Sequence, residues 1–218
     1  YHNGHGSFNL SLFNSVFENN SADDKGGVIY NYTYEGDLYL ENCVMKNNSA
    51  PRGGVVYKQE RGVWGAGSGT INRSMFINNT ASDFASVIYY EASGYGDYGF
   101  GTLEISNSIF YANTGGTSNS NRGALIDTYT GNYDNIPLGS YNPLDVPLVL
   151  NNNHFFSNEG NNESMIYSRY FEGTNNSFEN NDLPILVKYT SGSTDTYIFE
   201  GNYWGTKSSL VIDSLIYD

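Results

Sequence analysis

One pattern is written three times over in this chain. Phe17-Glu18-Asn19-Asn20-Ser21-Ala22 runs into Gly26-Gly27-Val28-Ile29-Tyr30. Met45-Lys46-Asn47-Asn48-Ser49-Ala50 runs into Gly53-Gly54-Val55-Val56-Tyr57, and Phe76-Ile77-Asn78-Asn79-Thr80-Ala81 into Ala85-Ser86-Val87-Ile88-Tyr89. Weaker copies begin at Phe110, Phe155, Phe178 and Phe199, with Asn113, Asn158, Asn181 and Asn202 three residues on. A unit of this length cannot bury its apolar face alone. It must stack on its neighbours, which confines the chain to a repeat architecture.

Each unit has an internal grammar. Leu38-x-Leu40, Asn42-Cys43, Met45 and Asn48 recur as Leu103-x-Ile105, Asn107-Ser108, Phe110 and Asn113. Alternation with period two marks short strands with one buried face. Asn, Ser and Gly between them mark bends, because Asn and Gly accept left-handed backbone angles and are poor helix formers. The intervals between successive origins run from 21 to 45 residues. The shortest suffices for three strands and three bends, one coil of a parallel β-helix. The fold expected is therefore all-β: a right-handed parallel β-helix, a pectin-lyase-like solenoid of about seven coils, rising about 4.8 Å per coil. Longer intervals are insertions after the Val-Ile-Tyr strand, at 31–37, 58–69, 90–101 and 127–146, with another at 115–122. They should map to lateral loops on one face.

The spacing predicts two inward ladders. One is Phe17, Met45, Phe76, Phe110, Phe155, Phe178 and Phe199; the other is Ile29, Val56, Ile88, Ile126, Ile166 and Leu186. Asn20, Asn48, Asn79, Asn113, Asn158, Asn181 and Asn202 should stack amide on amide at a bend. Cys43 falls where other units carry Ser15, Ser74 and Ser108, so it reads as a small ladder residue and not a nucleophile. The expected domain is single, 1–218, with coils over 8–202. Residues 203–218, with Leu210, Val211, Ile212, Leu215 and Ile216, are expected to form a C-terminal cap of a last strand plus a short amphipathic turn or helix. The chain opens on Tyr1 in mid-pattern and reads as a piece of a longer surface protein.

Ten basic residues against 23 acidic ones give a net charge of −13, a field that repels nucleic acid and anionic lipid. No apolar run approaches the roughly 20 residues of a membrane span, so no membrane insertion is expected within this segment. Asp23-Asp24 is the only tight acidic pair, and two carboxylates alone hold calcium weakly. His2, His5 and His154 lack ligand spacing for zinc. Neither a cofactor nor a metal is expected. Gly4-His5-Gly6 matches only a fragment of a polygalacturonase-like pattern. Carboxylate pairs for glycoside hydrolysis could come from Glu60 with Glu91, or Glu91 with Asp127; solvated loop roles suit them better, and no catalytic residue is assigned.

The aromatic residues of the insertions are the candidate ligand contacts: Trp64, Tyr90, Tyr95, Tyr98, Tyr129, Tyr133 and Tyr141. Rigid aromatic rings on loops supply contact area for glycans or proteins. Among the many Asn-x-Ser/Thr sequons, Asn31 is the favoured glycosylation acceptor, since it opens an insertion.

The F-x-x-N and Gly-Gly-x-Ile/Val pair resembles the repeats of chlamydial polymorphic outer-membrane proteins. With its Asn-Asn-Ser-Ala runs and the closing Asn202-Tyr203-Trp204-Gly205-Thr206, the chain resembles still more closely the adhesin-like surface proteins of methanogenic archaea. Units five to seven lack the paired glycines. The resemblance implies an extracellular, cell-surface, archaeal protein. The function expected is a non-catalytic adhesin module binding glycans or proteins of a partner cell. The alternatives are a polysaccharide lyase or glycoside hydrolase on the same scaffold, and a structural spacer.

Overall fold

Every repeat bends the same way, and asparagine does most of the bending. At one bend Asn14, Asn42, Asn107, Asn152 and Asn175 hold φ between 49° and 58°. At the next, Asn19, Asn47, Asn78 and Asn180 hold φ between 50° and 59°. Such left-handed angles cost most side chains energy; the short Asn amide tolerates them. A single left-handed residue redirects one strand into the next without folding it back as a hairpin. A third bend uses Gly26 and Gly53, again at positive φ, with Ala85 in the equivalent place. The following residues, Gly27 and Gly54, are required for room: a Cβ on Gly27 would lie 2.2 Å from the Gly54 carbonyl oxygen.

The computed structural model describes residues 2–3, 8–33, 35–62, 67–94, 101–116, 122–128, 142–144, 147–161, 164–168, 170–182, 187–188 and 198–217. Among these, the strands gather into sheets of nine, seven, six and four. The seven-stranded sheet takes Leu10–Phe13, Leu38–Glu41, Gly69–Asn72, Leu103–Ser106, Leu148–Asn151, Phe171–Thr174 and Ile198–Glu200 in order. The six-stranded sheet takes Val16–Glu18, Val44–Lys46, Met75–Ile77, Ile109–Tyr111, His154–Phe156 and Ser177–Glu179. The nine-stranded sheet is built on Ile29–Thr33, Val56–Gly62, Ile88–Gly94, Gly123–Asp127, Ser164–Tyr167 and Val187–Lys188. Neighbouring strands lie one whole repeat apart in sequence and pair parallel. The exception is Asn142–Leu144, antiparallel to the end of Ile88–Gly94. Parallel sheets with so little helix fit a parallel β-helix.

The core is a set of columns running through the sheets. Phe17, Met45, Phe76, Phe110, Phe155 and Phe178 are register partners in succession. Phe76, Phe110, Phe155 and Phe178 stack with centroids 4.4–4.9 Å apart. The last rung differs from the expected one. Phe199 pairs with Gly173 in the seven-stranded sheet, and Trp204 stacks on Phe178 at 4.8 Å. The second column runs Ile29, Val56, Ile88, Ile126, Ile166, and then Val187 in place of Leu186, which lies outside the described residues.

Two polar columns flank the aromatic stack. In one, each Asn side-chain oxygen accepts from the backbone N–H and the amide of the Asn before it, through Asn20, Asn48, Asn79, Asn113, Asn158 and Asn181. The other begins with hydroxyls and ends with amides. Cys43 N–H donates to Ser74 Oγ, Ser74 N–H to Ser108 Oγ, and Ser108 N–H to Asn153 Oδ1. Asn176 and Asn202 continue this second column, which corrects the placing of Asn202 in the first.

At the C-terminus a short helix comes before the strand, the reverse of the expected order. Ser209–Leu215 is helical, and Ile216–Tyr217 pairs parallel with Val187–Lys188. Ile212, Leu215 and Ile216 pack against the core. No helix among the described residues is long and apolar enough to cross a membrane.

Candidate functional site

The insertions begin as strand, and this decides the fate of their first residues. Asn31, Lys58 and Tyr90 are register partners on three parallel strands, as are Asn31–Tyr32 and His2–Asn3. Counting by twos from the inward Ile29, Val56 and Ile88 places Asn31, Lys58 and Tyr90 on the inner face. Tyr90 is 0% exposed, with its ring beside Gly69, where neighbouring strands carry Leu38 and Leu103. Its hydroxyl lies within hydrogen-bond reach of both Gly67 O and Glu60 Oε2, which share its one proton. This corrects the expectation of a loop aromatic: Tyr90 offers no surface to a ligand. Asn31 is equally buried, so its amide is closed to glycosylation in the folded chain. Trp64, Tyr95, Tyr98, Tyr129, Tyr133 and Tyr141 lie outside the described residues.

Beside Tyr90, Lys58 and Glu60 form a buried ion pair. Lys58 Nζ also donates to Gly36 O, and Glu60 Oε1 accepts from Gly36 N–H at 3.1 Å. Burial pushes the Lys58 ammonium down and the Glu60 carboxyl up from their ordinary values, and each partner opposes the shift of the other. The pair fastens Gly36 and, through Tyr90, Gly67 to the inner face, a structural duty.

The carboxylates considered for hydrolysis are already engaged. Glu60 and the neighbour of Glu91, Ala92, are register partners, so Glu60 and Glu91 face opposite sides of the sheet. Glu91 accepts from Tyr89 Oη and Gln59 Nε2. Asp127 is buried, 3.0 Å from Arg122 Nε, and accepts from Gly123 N–H. On that outer face the tyrosines closing the Val-Ile-Tyr strands form a covered cluster. Tyr30, Tyr57 and Tyr89 contact one another at 5.6 and 4.7 Å. Lys25 lies over Tyr30 and Tyr57, and Arg122 over Phe84 and Tyr89. Among the described residues no group of three His, Cys, Asp or Glu side chains is placed to hold a metal ion.

An open site lies elsewhere, at the first bend. Phe13, Asn14, Glu41, Asn42 and Arg73 line a shallow groove of about 470 Å³. Phe13 and Glu41 are register partners on the outer face of the seven-stranded sheet. Phe13 is 51% exposed, and its ring leans on Tyr39 with centroids 5.3 Å apart. Tyr39 Oη donates to Glu41 Oε2 at 2.6 Å, and Arg73 Nη2 donates to Glu41 Oε1. The hydrogen bond from Tyr39, then that from Arg73, hold the Glu41 carboxyl below its ordinary value; accepting partner Glu41 raises the Tyr39 hydroxyl. Asn42 Nδ2 donates to Asn14 Oδ1 at 2.7 Å along the rim. Of these residues the sequence marks only Asn42, as a bend position, and none as a ligand contact, because they lie on strands and bends and not in insertions. One signal was present: Arg73 stands where neighbouring repeats carry Asn42 and Asn107.

Part of the chain is similar to the probable autotransporter YfaL of Escherichia coli (strain K12). The two are 32% identical over 99 residues, covering 40% of this chain and 8% of that protein. The chain thus spans a small part of that relative's length. No protein family and no solved structure matches it.

Proposed function

We propose that this chain is a non-catalytic adhesin module of an extracellular, cell-surface protein, binding glycans or proteins of a partner cell. The observation that carries the reading is the succession of parallel strands among the described residues, joined to the similarity with a probable autotransporter over part of the chain. A passenger exposed at a surface or secreted from it suits both. On this reading the fold is a right-handed parallel β-helix of about seven coils, with residues 203–218 covering its last apolar layer. Right-handed crossovers are the rule for parallel strands.

Absence of catalysis is favoured by the condition of the carboxylates. Glu60, Glu91 and Asp127 are each tied to neighbours, and Glu60 and Asp127 are buried. A glycoside hydrolase needs two carboxyl groups facing one substrate across roughly 5–9.5 Å. The acidic charge of −13 disfavours nucleic acid as a partner.

The test is retention of the purified chain on immobilised polysaccharides and whole cells, with the supernatant assayed for released sugar. Retention without release supports an adhesin. Released oligosaccharide overturns the non-catalytic reading. Neither retention nor release leaves a structural spacer.

A further inference from the structure

The first bend is a row of left-handed residues. Asn14, Asn42, Asn107, Asn152 and Asn175 occupy it; Arg73, at φ 49°, and Gly201, at φ 66°, interrupt the row, and of the two only Arg73 brings a side chain and a charge. The interruption is felt by the neighbours. Asn42 pairs with Asn14, but Asn107 Nδ2 turns to Asn72 Oδ1 at 2.9 Å. A long cation held at a left-handed angle gains nothing for the bend that Asn would not supply at lower cost. Strain of this kind points to a site.

The Arg73 side chain is 64% exposed and reaches back to Glu41 on the neighbouring strand. Glu41 is thereby held from two sides, by Tyr39 and by Arg73. Next to this fixed pair stands the exposed Phe13 ring, and along the rim stand the exposed amides of Asn14 and Asn42. The groove therefore combines a flat apolar face, a fixed acceptor, a fixed donor fork with N–H groups to spare, and two amides. Its one carboxylate and one guanidinium balance.

We propose that this groove binds a neutral pyranose, one ring of a glycan, stacked by its C–H face on Phe13 with its hydroxyls bridging Glu41, Arg73 and the rim amides. This rests on the surface-binding reading above and gives it a location and a ligand class. Adjacent hydroxyls of a sugar present a donor and an acceptor at the spacing that carboxylate, guanidinium and amide groups take up in pairs. A uronate would meet Glu41 and a net charge of −13, with the Arg73 charge already answered. The two charges thus select for polyol and against polyanion.

The experiment is saturation-transfer NMR and calorimetry of the whole chain with tetramers of glucose, mannose and N-acetylglucosamine, against a galacturonate tetramer. The variants are Phe13→Ala and Arg73→Asn. Binding of a neutral tetramer is expected, falling at least tenfold in both variants. The melting temperature of Arg73→Asn should stay equal or rise, since Asn is the residue the bend uses elsewhere; a purely structural Arg73 would lower it. Preference for galacturonate, or neutral-sugar binding unchanged in both variants, overturns the proposal. Whole-cell retention separates the two levels. If both variants are retained on cells like the parent, the groove is refuted and the adhesin reading stands. If the parent is retained on neither sugar nor cells, both fail.

Discussion

Asn113 Oδ1 accepts two hydrogen bonds from Asn79, one from its backbone N–H and one from its side-chain amide, each 3.0 Å long. The same Asn79 amide donates to Met45 O at 2.9 Å, so one side chain ties three successive repeats. The amide is indispensable because it must donate on both sides. Asn79→Asp puts a carboxylate oxygen against Met45 O and Asn113 Oδ1 in a fully buried place. A loss of about 3 kcal/mol or more is expected from the lost donors and the buried charge, read from urea unfolding. Burial raises the pKa of the introduced carboxyl, so part of the loss should return as the pH falls and it protonates.

Phe110 lies between Phe76 at 4.9 Å and Phe155 at 4.4 Å, with no exposed surface. Phe110→Ala opens a cavity that the rings on either side cannot fill, because each is fixed by its own strand. A cost of about 3–5 kcal/mol is expected, and a smaller one for Phe110→Leu, both from urea midpoints.

The Lys58–Glu60 pair is buried and linked to Gly36. Lys58→Met leaves the Glu60 carboxyl buried without its cation and should cost about 3–5 kcal/mol. Combining it with Glu60→Leu should recover most of that loss. Hydrogen exchange at Gly36 should accelerate in the double variant, which removes the acceptor of its N–H, Glu60 Oε1.

Glu41 supplies a prediction in pH. Its folded pKa lies below the unfolded value, so its contribution is fully present above the unfolded value, about 4.3, and is lost as the pH falls through the lowered one. NMR titration should place the Glu41 midpoint below that of an ordinary glutamate. Arg73→Asn and Tyr39→Phe should each move it up, since each removes a hydrogen bond to the carboxylate.

Strand positions were readable because alternation and the bend asparagines carry both register and direction. The final rung was misplaced because Phe199-Glu200-Gly201-Asn202 imitates F-x-x-N. The deciding spacing is another: Asn153 and Asn176 each stand two residues before the stacked Phe155 and Phe178, as Asn202 does before Trp204. Tyr90 reads as the first residue of an insertion, yet the alternation from Ile88 already places it inside. The groove was hidden for a different reason. Phe13, Glu41 and Arg73 come from three repeats and meet only once these are stacked, so no contiguous stretch announces them.

The left-handed bends have a further consequence. Together the bends of one repeat return the chain to the same heading one strand spacing along, so at the bends each step of the climb is equivalent to its neighbour. In-frame duplication or deletion of a whole step, for instance from one bend asparagine to the equivalent residue of the next repeat, leaves both junctions as they were. The length of such a molecule is therefore open to slippage at the level of the gene, while the pitch at which its outer residues are displayed stays fixed. Selection can lengthen the reach while the bends and the inward columns keep their pattern.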